Sequence, residues 1–155
     1  MRKKSKYKPK GVILNPVAYV LESMTPLRDH SPLTDVKIKN HGAMHDLIRG
    51  QATKKQMDFL IQMHNICEAL ARLGHGSEYQ PVIKDGGKAL YDVCCRGATT
   101  QKFICKSEEI NQLNDLMELH DAQLEVITVK DMEKAVNIVR ADLRARKALV
   151  IKDRS

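Results

Sequence analysis

His41 and His45 stand four residues apart, one helical turn, so both imidazoles can reach a single metal ion from one face. Asp46 follows directly, but Gly42 and Ala43 occupy the positions where a zinc-protease pattern needs its glutamate. A third ligand would have to come from His64, His75 or His120, none of them at a telling spacing. No metal is therefore assigned, and the pair reads as polar residues on the first turn of a short surface helix. His64 and His120 each fall on an apolar stripe, where a core histidine bonded to a carbonyl or an acid is expected rather than a catalyst. Asp121 cannot be the partner of His120, because adjacent helical residues do not face each other. Cys105 beside Lys106 could be a slightly activated thiol, yet no base is in view. The chain has no GxSxG, no phosphate-cradling glycine loop and no dinucleotide fingerprint. The GHG at 74–76 precedes a helix without a strand leading into it. These residues point to a non-enzymatic protein with no cofactor.

The remaining candidate is a charge run. Arg2, Lys3, Lys4, Lys6, Lys8 and Lys10 give the first ten residues a charge of +6 out of a total of +7. The other 145 residues are close to neutral, with 20 cations against 19 anions. Six cations with Tyr7 among them suit phosphate contacts and stacking on an unpaired base, so nucleic acid, DNA or RNA, is the expected partner. A solubilising tail or docking on an acidic protein surface are the competing readings. Anionic lipid would need an amphipathic helix or an acyl signal, and residues 2–7 carry neither.

The elements that must position these residues read as helices. Residues 53–74 are apolar over most of the circumference, through Met57, Leu60, Ile61, Cys67 and Ala71 on one stripe and Phe59, Met63, Ile66, Leu70 and Leu73 beside it. Such a helix is expected at the centre, surrounded by partners. Thr53 and Gln56 form a capping box at its start, and Gly74 ends it. Before it, Asn15 and Pro16 open a short helix that ends near Met24. Pro26 and Pro32 mark an extended connection through Lys39, and Asn40 caps a second short helix, 41–49, closed by Gly50. After it, Ser77 with Gln80 repeats the capping box, and Tyr79, Val82, Ile83, Gly86, Leu90, Val93 and Cys94 keep helical spacing up to Gly97. Gly86 reads as a close helix–helix approach, although Gly86 and Gly87 together could instead break the segment in two. Residues 98–106 connect, with a short extended piece at 102–105. Ser107 caps a helix carrying Ile110, Leu113, Met117, His120 and Leu124. Thr128 with Asp131 caps the last, which carries Val129, Met132, Val136, Val139 and Leu143. These two are expected to pair as an antiparallel hairpin.

A chain of 155 residues, 43% hydrophobic, is one ordinary domain. The expected architecture is an all-α, single-domain bundle of five to six helices: a flexible basic arm at 1–11, a helical domain at 12–147 and a tail at 148–155. No apolar run approaches the roughly 20 residues of a membrane span, and the N-terminus lacks the apolar core of a secretory signal, so a cytoplasmic protein is expected. Cys67, Cys94, Cys95 and Cys105 make no CxxC pair and are expected as reduced thiols. Leu116, Leu119, Ala135 and Ile138 widen the apolar faces of the last two helices. A homodimer through 107–147 would bury that surplus.

Three stretches, the arm followed by NPVAYVLE at 15–22, VKIKNHGAM at 36–44 and ELHDAQLEVITVKD at 118–131, together resemble small helical proteins encoded by tailed bacteriophages and prophages of proteobacteria. The resemblance covers nearly the whole chain. It implies a phage protein acting in the bacterial cytoplasm, and a binder rather than a catalyst. It brings no activity, so no residue takes a role from it. Two functions are left open: a nucleic-acid-binding protein, regulatory in character, or a protein-binding effector that inhibits or redirects a host factor in host takeover or anti-defence.

Overall fold

The structure, a computed structural model, describes residues 24, 26–29 and 31–145. The basic arm, the tail and, apart from Met24, the short helix expected from Asn15 lie outside the described residues. Within them the chain is all-α: α1 (Ser31–Ile48), α2 (Lys54–Arg72), α3 (Gln80–Thr100), α4 (Ser107–Val126) and α5 (Val129–Arg144), with single 3-10 turns at Leu27–Asp29 and Ser77–Tyr79.

α2 is the central helix that its apolar circumference implies, and α1, α3, α4 and α5 all pack against it. At its start the Gln56 carboxamide oxygen accepts from the Thr53 N–H at 2.9 Å and from the Thr53 hydroxyl. At its end His75 N–H donates to Leu70 O at 2.9 Å and Gly74 N–H to Ala71 O at 3.0 Å, the paired bonds of a Schellman motif. That motif needs a left-handed residue, and Gly74 supplies it at φ 99°.

α1 corrects the sequence reading. It begins at Ser31, so the stretch expected to be extended through Lys39 is helical, and Asn40 is interior rather than a cap. Pro32 lies in the first turn, where its missing N–H leaves no bond unmade. From there Leu33, Val36, Asn40, Met44 and Leu47 form one continuous stripe facing the core, with Asn40 buried in its middle.

α3 runs unbroken through Gly86 and Gly87, and past Gly97 to a left-handed stop at Gln101. The alternative of two helices is thereby excluded, and so is a helix end at Gly97. The helix starts at Gln80 after a separate 3-10 turn, not from a Ser77 cap. A Cβ on Gly86 would lie 2.9 Å from the Cβ of Leu116, so α3 and α4 meet there as closely as backbones allow. A Cβ on Gly97 would strike the Phe103 ring at 2.4 Å, so the 101–106 connection folds over that glycine as coil and not as a strand.

α4 is capped not by Ser107 but by Lys106, and the Lys106 N–H donates to the Glu109 carboxylate at 2.9 Å. α5 has the expected cap, with Asp131 N–H donating to Thr128 Oγ1 at 3.2 Å and Thr128 N–H to Asp131 Oδ2 at 3.0 Å. The expected α4–α5 hairpin does not form. Ile127 is fully buried with an extended backbone, and its carbonyl accepts from Leu27 N–H at 2.9 Å. That joint swings α5 away from α4 and onto α2, where Ala135 packs in a cluster with Ala69, Leu70 and Leu124. Leu116 and Ala135, half of the surplus apolar surface expected to drive self-pairing, are thus spent inside one chain.

Candidate functional site

Arg2, Lys3, Lys4, Lys6, Tyr7, Lys8 and Lys10 lie outside the described residues. His41 and His45 are exposed on α1, beside a shallow depression of about 370 Å³ between α1 and α4. His41 Nε2 is 2.7 Å from Asp121 Oδ2, so Asp121, unable to face its neighbour His120, pairs across to α1. Among the described residues no three His, Cys, Asp or Glu side chains are grouped to hold a metal ion.

The two stripe histidines are both in the core. His64 lies over α3, where a Cβ on Gly87 would come within 2.5 Å of its Nε2. Its Nε2–H donates to the Ile83 carbonyl at 3.1 Å, while Nδ1 is buried with no hydrogen-bond partner among the described residues. His120 has a better-defined setting. Gln123, one turn on, donates from Nε2 to Cys67 O at 3.1 Å and to His75 O at 2.8 Å. Those two carbonyls fix which way the carboxamide points, so its oxygen must be the group facing His120 Nδ1 at 3.1 Å. Nδ1 therefore carries the proton. Burial pushes the pKa of this ring down from its ordinary value, with the Gln123 bond and Asp121 opposing that effect and Lys37 adding to it. The ring is neutral, and Nε2 is its acceptor nitrogen.

His120 lines a cleft of about 330 Å³ between α1, α2, α4 and α5. Leu27, Met63 and Leu124 contribute buried surface to it, while Val36, Phe59 and Met132 are half-buried around it. Asn40 and Lys39 of α1 and Gln62 of α2 are its other polar lining. The sequence reading missed this site. Its signals were present: Asn40 sits on the Leu33-to-Leu47 stripe, and Gln123 lies three residues after His120, on the same helical face.

Three of the four thiols, Cys67, Cys94 and Cys105, offer little nucleophilic chemistry. All four cysteines are free, and burial pushes Cys67 up to about 12 and Cys94 and Cys105 up to about 11. Lys106 thus fails to activate Cys105, which instead lies near the Glu109 carboxylate. Glu109 is itself held below its ordinary range by Arg96, whose guanidinium grips both carboxylate oxygens and donates to Ile104 O at 2.8 Å. This clasp fixes the 101–106 connection against α3 and α4. None of the described helices is long and apolar enough to cross a membrane. The chain matches no family model, no curated protein and no solved structure.

Proposed function

We propose that this is a non-enzymatic, phage-type protein of the bacterial host cytoplasm that binds nucleic acid through its basic arm, Arg2 to Lys10. The observation that carries this reading is the partition of charge, +6 in the first ten residues against near neutrality in the remaining 145. Four cations of the body are engaged in ion pairs. Lys37 pairs with Glu125, Arg72 with Glu68 and Asp142, Lys88 with Asp92, and Arg96 with Glu109. Phosphate contact falls to the arm, and the helical domain serves as the body that carries it.

A mobility-shift titration comparing the full chain with one starting at Gly11 tests the reading. With six phosphate contacts, affinity for duplex DNA should fall about a thousandfold between 50 and 200 mM salt, and the shortened chain should not bind. Equal binding by both chains, or none by either at low salt, would refute it. The alternative is an effector whose arm meets an acidic host protein. Its mark is one stoichiometric protein retained from host lysate after nuclease treatment. A homodimer would bring two arms together and raise their effective concentration. Because Leu116 and Ala135 are internal, its contact would have to use exposed apolar residues such as Val126 and Leu143.

A further inference from the structure

Among α1 to α5, the last helix is the least covered. None of its large apolar side chains is buried: Val129, Met132, Val136, Ile138 and Val139 are half-buried, and Leu143 is exposed. Met132 and Val136 form the α5 wall of the cleft, and Val36, Phe59 and Ile66, also half-buried, belong to its other walls. A continuous apolar surface of this kind marks a place where something docks. The cleft also lies where the described chain comes in. Leu27 lines it, the Leu27 N–H is bonded to Ile127 O at 2.9 Å, and Pro26 lies antiparallel against Thr128, the cap of α5. The residues before Pro26 are therefore tethered beside the first turn of α5, at the edge of the cleft. Among them, at 12–21, is VILNPVAYVL, ten residues without one charged side chain.

We propose that residues 12–21 of the same chain dock in this cleft and cover the apolar face of α5. Val17, Val20 and Leu21 stand at i, i+3 and i+4, the spacing by which an amphipathic helix anchors in a groove. The reach is sufficient. Five residue steps from Leu21 to Pro26 span up to about 17 Å, while Thr128 to Val136 is only about 12 Å of helix. Leu21 can thus meet either Met132 or Val136 with Leu27 left where it is. The cavity, about 330 Å³, takes a few aliphatic side chains and leaves the backbone that carries them at the rim. The basic arm does not fit there, because its cations would leave water and meet the like charge of Lys39 in the lining. Tethering favours the chain's own segment over a free partner, since a short linker gives an effective concentration on the order of millimolar. Docking also fixes where the arm leaves the body, at the α1–α5 face, whatever the arm binds.

Methyl NMR of the full chain tests the proposal. The Met132 methyl should give NOEs to methyls of Val17, Val20 or Leu21, and a mixture of labelled and unlabelled chains should show these contacts to lie within one chain. The double substitution Val17→Asp with Leu21→Asp should erase them, move the Met132 and Val136 signals and raise the fluorescence of added Nile red, a neutral apolar dye, several-fold. The Leu113 and Leu116 signals on the opposite side of α2 should stay in place, which reports that the body remains folded. Absence of any NOE from Met132 to residues 12–21 in the unsubstituted chain would overturn the proposal, and this outcome does not depend on how the variant folds. So would NOEs that run between chains, which would make the cleft a contact between two copies. Nile red bound equally by both proteins would also overturn it, since the cleft would then stand open to a small apolar ligand.

Discussion

On the α3–α4 side of α2 the helices close until only glycine fits between them, whereas on the α1–α5 side they stand apart around a cleft. On the first side Leu116 lies against Gly86, the His64 ring against Gly87 and Phe103 against Gly97. On the second, Val36, Phe59, Met132 and Val136 are only half-buried, and two buried polar side chains, Asn40 and His120, line the cleft. The difference separates two jobs that one core rarely does at once. Close packing sets helix positions with little slack, since interiors tolerate neither voids nor added methylenes. An open seam gives up that packing and keeps room for a docked segment.

The comparison can be broken by changing side-chain volume on each side. Leu116→Ala should cost about 4 kcal/mol in urea unfolding, because the side chain is fully buried and its Gly86 partner cannot move in to fill the space. Gly86→Ala should also destabilise, by about 2 kcal/mol, since the clash with the Leu116 Cβ outweighs the better helix propensity of alanine. Val136→Leu adds volume on the open side and should do the opposite, leaving stability unchanged or raising it by up to about 1 kcal/mol. Similar losses from Gly86→Ala and Val136→Leu would show the two sides to be equally packed.

A pH series sharpens the same contrast at His120. Burial lowers the folded-state pKa of this ring below the ordinary 6.5. The unfolded chain therefore takes up a proton that the folded chain refuses as pH drops below that value. The His120 contribution is present in full above pH 6.5 and is lost on acidification at up to about 1.4 kcal/mol per pH unit, until the folded ring itself is protonated. Urea midpoints between pH 7.5 and 5.5 should show this loss, and His120→Leu should flatten it. An unchanged slope in that variant would place the titration elsewhere.

How much of this could be read from residue order alone follows from the range of the interactions. The Thr53–Gln56 and Thr128–Asp131 boxes are contacts between residues three apart, and each is visible in the chain. The Gly86 approach was legible because a glycine on an apolar stripe leaves room for a neighbouring helix, although the Gly86–Gly87 pair could equally be read as a helix break. Asn40 misled because a polar residue ahead of apolar ones looks like a cap, when it is in fact the polar member of an eighteen-residue helix that starts at Ser31. The direction of α5 was not legible at all. It depends on Ile127 being buried and on its carbonyl receiving the Leu27 N–H from 100 residues upstream. The cleft is assembled from four helices, so Asn40 and His120 could each be placed on a helix face, but their meeting could not be read from any one segment. Arg2 to Lys10 present the reverse case, since their charge is a property of composition and needs no geometry to be recognised.

The central claim is that the arm does the binding, and the salt dependence of duplex DNA affinity measures it most directly. Neutralising six phosphates predicts a slope of log K against log salt of about −5 for the full chain. A slope near −1 or shallower, which a body of net charge +1 could supply by itself, would contradict the account.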